Sequence, residues 1–182
     1  MSATTTTLPT GTWDVDPSHS RIGFSVKHLG ISTVRGEFRK YEGQIVIDDD
    51  GHAKASGKID VSSVDTSVAD RDGHLLAPDF FDAENHPEIT FESTSITATD
   101  DDEYEITGDL TLRGTTKPIT LTAEAGGSEV DPFGNTRIGL EATGSITRSD
   151  YGMKFNQALG SGNLAVSDKV KLLLDISAVK AS

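Results

Sequence analysis

The chain has 182 residues, enough for one well-buried core and short for two domains. Its 16 Lys and Arg against 29 Asp and Glu leave a net charge of -13 with no basic block, which excludes a nucleic-acid partner held by a basic surface. The absence of Cys excludes disulfides, thiolate catalysis and cysteine-held metals, and 35% hydrophobic content with 18 Gly suits small-residue β-strands better than a helical bundle.

The opening stretch, MSATTTTLPTG, has no periodicity and predicts a disordered lead-in over 1–11 ahead of a single domain over 12–182. It lacks the basic and apolar regions of an export signal, and no window reaches the roughly 18 apolar residues of a membrane-crossing helix, so the expected location is cytoplasmic. Trp13 and Val15 alternate with Asp14 and Asp16 up to a turn at Pro17 and Ser18. Ile22, Phe24, Val26 and His28 then share one face of a strand whose other face carries Arg21, Ser25 and Lys27. After a break at 30–33, Val34, Gly36 and Phe38 restart a strand that continues to Tyr41. Gln44 to Ile47 runs into Asp48-Asp49-Asp50-Gly51, a hairpin signal, and returns through 53–62, where Gly57, Ile59 and Val61 leave room beside them.

The stretch SVADRDGHLLAPDFFD, 67–82, interrupts this alternation with charge, histidine and paired aromatics. It predicts a short helical segment over 68–77, capped by Ser67 and ended by Pro78, that crosses and closes the end of a sheet. Asn85-His86-Pro87 turns the chain into Ile89, Phe91 and Ser93. The acidic run 100–103 reads as a solvated loop, since it lacks the ligand spacing and glycine of a calcium loop. Alternating strands follow over 104–112, 118–125 and 138–146, then an irregular stretch, 148–167, long enough for a functional loop or partial lid. The last strand places Val170, Leu172, Leu174, Ile176 and Ala178 on one face.

About eight hairpin-connected strands predict an all-β fold, an antiparallel meander closing into a barrel. A side-chain-filled barrel or a two-sheet sandwich would give nearly the same pattern, but Gly and Ala on the inward face favour a cavity. His19, His28, His74 and His86 with Asp72 have no zinc-motif spacing, and no nucleophile elbow is present. Asp72 and His74 remain an acid-base pair for a lipid-modifying enzyme, or Arg71 and Asp72 brace the crossing segment. Phe24, Phe38, Phe91 and Tyr104 on strands, with Phe80, Phe81 and Phe133 between them, either fill a core or line a tunnel for a flexible apolar molecule.

Six stretches carry a further signal: TWDVDPSHSRIGFSVKHLG (12–30), VRGEF (34–38), VDTSVADRDGHLLAPDFFD (64–82), HPEITFES (86–93), GDLTLRGTTKPITL (108–121) and TRSDYG (147–152). Together they resemble the YceI-like family of polyisoprenoid-binding or lipid-binding proteins. The resemblance implies an extended eight-stranded antiparallel lipocalin-like β-barrel with a helical segment near its opening. It also implies a homodimer in many members, and an interior pocket for an isoprenoid, quinone-like lipid or fatty amide, with no cofactor, no metal and no chemistry. Many relatives are exported; the lack of an export signal keeps the expectation here cytoplasmic, with at most transient membrane contact.

On this reading Phe24, Phe38, Leu75, Phe80, Phe91, Ala142, Gly144 and Ile176 contact the apolar tail, and Arg71, His74 and Arg148 stand beside a polar head. The family's Arg-Asp-x-His-Leu pattern falls on Arg71, Asp72, His74 and Leu75, which the resemblance marks first as fold-shaping. The expected function is passive sequestration, with two rivals: a stress-related structural barrel packed solid and working through its surface, and the enzyme using Asp72 and His74.

Overall fold

The computed structural model describes residues 8–161 and 164–181. β1 (Gly11–Val15) and β2 (Arg21–His28) form one strand line, kinked at a 3-10 turn, Pro17–His19, where the Asp16 carboxylate accepts the Ser18 N–H at 3.0 Å. β3 (Ser32–Phe38) and β4 (Tyr41–Ile47) form the return line, and β5 (Ala53–Asp60) pairs back on β4. A two-residue β6 (Val64–Asp65) and the helix α1 (Ala69–Leu75) lead to β7 (Glu88–Ala98), β8 (Glu103–Leu112), β9 (Thr115–Val130), β10 (Thr136–Thr147) and β11 (Val166–Lys180).

Every ladder is antiparallel, and with β1–β2 and β3–β4 taken as single lines and the short β6 set aside, each line pairs with the next in sequence until β11 returns to the start of the chain. Its first half pairs with β2, Leu172 opposite Phe24, and its second half with β1, Val15 opposite Ala178. With β1–β2 and β3–β4 each counted as one strand, this is the expected closed eight-stranded antiparallel barrel with one short helix. Closure leaves no long edge to be covered. Alternation drives it: along β8, Tyr104, Ile106, Leu110 and Leu112 are buried, whereas Glu103, Glu105 and Asp109 are exposed.

Side chains plug both ends of the barrel. At the far end Trp13, Ile45, Ile47, Ile138 and Ala178 form a cluster in which Trp13 is 0% exposed, and its indole N–H donates to the Pro9 carbonyl at 3.1 Å. Leu8 packs against this cluster, so the chain is anchored ahead of Gly11; the rest of the expected lead-in, 1–7, lies outside the described residues. At the opposite end the crossing segment lays Leu75, Leu76 and Phe81 on a cluster containing Phe38, Val64 and Ile89.

The helix differs in detail from the sequence expectation. Its N-cap is Val68, with no side-chain cap, while Ser67 sits at φ 69 and its N–H is taken by Asp65 Oδ1 at 2.8 Å. The anchoring carboxylate comes from inside the helix instead. Asp72 Oδ1 accepts both the N–H and the hydroxyl of Thr66, at 2.8 and 2.5 Å, and the Arg71 guanidinium donates to the Thr66 hydroxyl and carbonyl, at 2.8 and 2.7 Å.

Candidate functional site

The inward face of the wall alternates large side chains with glycine, and three glycines act as seats. The Phe24 ring lies over its register partner Gly36, Phe91 over Gly108, and Leu121 over Gly144; a Cβ on these glycines would fall 2.4, 2.4 and 2.6 Å from those side chains. Large residues therefore lie along the wall and leave the axis open. Gly57, opposite Gly43, is different: a Cβ there would meet nothing closer than 3.4 Å.

The result is an apolar bore of about 280 Å³. Of the residues that sequence reasoning assigned to a ligand, Phe24, Phe38, Leu75, Phe80, Phe91, Ala142, Arg148 and Ile176 line it, and Arg71, His74 and Gly144 do not. Arg71 is occupied by Thr66. The His74 ring Nε2–H donates to the Asp79 carboxylate at 2.9 Å, and the ring stacks edge-on behind Phe80 and Phe155, with ring centroids 5.0 and 5.1 Å away. Gly144 shares the inward face of Ala142, but its space belongs to Leu121. Ile22, Leu172 and Leu174 also line the bore, and the alternation already visible in their strands was the signal for them. Met153 and Val166 had no such signal, since the irregular stretch brings them in.

Arg148 is the exceptional lining residue. It opens the 3-10 turn Arg148–Tyr151 after β10 and is only 4% exposed. Its guanidinium donates to the carbonyls of Ser167, Met153 and Val166 at 2.9, 2.8 and 3.2 Å, and lies 6.0 Å from the Phe80 ring centroid. Among the described residues it has no carboxylate partner: Asp168 is nearby, but its oxygens accept from the Ser149 N–H and hydroxyl. Burial pushes the Arg148 pKa down, and the Asp168 charge opposes that shift. The arrangement is a desolvated cation in the wall of a hydrocarbon-lined space, with three of its five N–H donors taken by carbonyls.

The other constellations do not converge on the bore. Asp72 and His74 make no contact with each other, since the Asp72 carboxylate is committed to Thr66. His19 pairs with Asp16, and His86 lies 3.9 Å from Asp82. A different group, Asp48, Asp50 and His52, gathers in the β4–β5 turn with ligand atoms within 4.8 Å of one another. All three are exposed, and Asp48 Oδ1 already accepts the N–H groups of Asp50 and His52, which holds its carboxyl below the usual range and shapes the turn.

Beyond the bore, toward Trp13, a second void of about 50 Å³ is lined by residues including Leu8, Ile47, Tyr104 and Ala123. Its walls are as apolar as those of the first.

The YceI-like domain family matches residues 13–178. Protein YceI of Escherichia coli O157:H7 is 39% identical over 169 residues, covering 92% of this chain and 85% of that protein. The crystal structure of the Campylobacter jejuni YCEI protein superimposes with a TM-score of 0.74 at 32% identity, over 86% of this chain and 90% of the other. A polyisoprenoid binding domain from Saccharophagus degradans shares the fold with a TM-score of 0.69 at 18% identity, over 93% and 98%. The chain belongs to the YceI-like family.

Proposed function

We propose that this YceI-like domain is a non-catalytic carrier or store that holds the long apolar tail of an amphiphilic lipid in its bore and the polar head toward Arg148. The observation that carries the reading is an apolar space closed by packed clusters at both ends, with one buried guanidinium in its wall. Water gains nothing there, whereas a hydrocarbon chain leaves water and meets dispersion contacts on all sides. Each isoprene unit transferred would contribute up to about 4 kcal/mol before ordering costs, so tail length dominates affinity and the head selects and orients. The shared fold of the Saccharophagus degradans domain, which is described as polyisoprenoid binding, supports an isoprenoid tail, and a fatty amide suits the same bore.

Organic extraction of the purified protein followed by mass spectrometry tests the reading. A long-tailed lipid at about one per chain is expected. A protein that extracts empty and takes up neither a polyprenol nor a fatty amide from micelles would contradict it.

A further inference from the structure

The two voids share part of their walls. Ile45, Ala55, Ile106 and Leu140 line both, although the spaces are separate. Ile45 and Ala55 are register partners on the paired strands β4 and β5, Ile106 stands on β8, and Leu140 on β10, so the four project from three separate places on the barrel wall. Side chains that face a void on either side form the partition between them. Ile45 and Ile106 are both buried, and Ile106 belongs to the central packed cluster with Tyr104 and Leu121.

We infer that this ring gauges the length of the bound tail: the terminal carbons stop against Ile45, Ala55, Ile106 and Leu140, and the chamber beyond is withheld from the ligand until a ring side chain is cut back. The inference rests on the carrier reading above and adds the residues that set its selectivity. Each methylene that enters free apolar space tightens binding by about fourfold, whereas one that must push a packed side chain aside gains little or nothing. Affinity should therefore climb with tail length and then level off at the carbon that reaches the ring.

Linear saturated primary fatty amides of increasing length, assayed by displacement of a polarity-sensitive dye from the bore, provide the test. The wild-type protein should show about fourfold tighter binding per added methylene up to a plateau. In Ile106→Ala the plateau should move about three methylenes further, matching the carbons removed, with shorter amides little affected. Leu140→Ala should give a similar shift and serves if the first variant melts too low to measure. Ala123 lines only the smaller void, so Ala123→Val added to Ile106→Ala should bring the plateau back toward its original position. An unmoved plateau in folded Ile106→Ala and Leu140→Ala would overturn the gauge and leave the carrier reading standing. Failure of every amide and of a polyprenol to bind even the wild-type protein would overturn both.

Discussion

Gly108 and Gly57 are both inward-facing glycines in adjacent parts of the wall, yet they should respond in opposite ways to an added methyl group. At Gly108 the methyl would meet the Phe91 ring at 2.4 Å and the immovable Glu92 carbonyl at 2.6 Å. Gly108→Ala is expected to cost about 1–3 kcal/mol in denaturant unfolding and to swing Phe91 into the bore. At Gly57 only ordinary contacts await, so Gly57→Ala should be neutral or stabilising by up to about 1 kcal/mol through the unfolded chain. Equal losses at the two sites would contradict the seating of Phe91. Arg148→Met should cost about 2–3 kcal/mol, since it takes the guanidinium from the carbonyls of Ser167 and Met153 and leaves Val166 with the Asn156 amide alone. Chemical denaturation of that variant reads the cost. At this scale the sequence made the strand lining legible, because Phe24, Phe91, Ala142 and Ile176 follow a period of two. It could not distinguish Gly144, filled by a neighbour, from Gly57, left open, because that depends on which rotamer an adjacent strand adopts. Nor could it place Arg148 in the wall, since the carbonyls that receive it come from an irregular segment.

The crossing element 66–83 is braced from within by the Asp72 carboxylate, and it is held to the barrel by Leu75, Leu76 and Phe81 and by the Arg113 guanidinium on the Pro78 carbonyl. Asp72→Ala would strand the Thr66 N–H and hydroxyl hydrogen and leave Arg71 alone to hold Thr66, so the element should loosen while the barrel stays closed. Hydrogen exchange should therefore speed up for amides of α1 with little change in β8 to β10, and lipid release should quicken. Uniform loss of protection across the strands would show that Asp72 supports the whole fold instead. The element's existence was legible from its break in alternation and its charge. Its anchor was not, because capping rules point to Ser67, whereas the chain turns at Ser67 itself and the anchoring carboxylate is Asp72, bonded to Thr66.

A second device ties turns together at the far end of the barrel. Arg137 on β10 donates to Asp131 in the β9–β10 turn at 2.7 Å and to Asp16 at the Pro17–His19 turn at 2.8 Å. Asp131, held by Arg137 and the Asn135 N–H, has its pKa lowered to about 2, and Asp16, bound by Ser18, Arg137 and His19, is also held well below the usual range. A carboxylate titrates near about 3.9 in the unfolded chain, so the contribution is present above that value and is lost as pH falls toward the folded pKa. The melting-temperature gap between the wild-type protein and Arg137→Met should be widest near neutral pH and shrink on acidification toward pH of about 2. A gap that widened in acid would contradict this assignment.

As a whole molecule, the protein is a meander that closes on itself and plugs its two ends with different material. Trp13 and its neighbours close one end, and the crossing segment closes the other. The eight-strand meander was legible because each hairpin carries its own turn residues and each strand its own alternation. The break of the first strand line at 16–20 was marked by Pro17 and Ser18, whereas that of the second at 39–40, where the inward face passes from Phe38 to Tyr41, carries no turn residue and was less legible. Whether the middle would be open or filled depended on how residues of opposite walls share the axis, which a single strand pattern does not encode.

That open middle is the central claim, and Ala142 is the place to close it. Ala142 is buried and lines the bore, so Ala142→Phe puts an aromatic ring into the space assigned to the lipid tail. The decisive measurement is lipid per chain, by mass spectrometry after organic extraction, for the wild-type protein and Ala142→Phe prepared side by side. Close to one long-tailed lipid per wild-type chain is expected, with at least about a tenfold drop in a variant that still melts cooperatively. Equal lipid content in the two proteins would contradict the open middle.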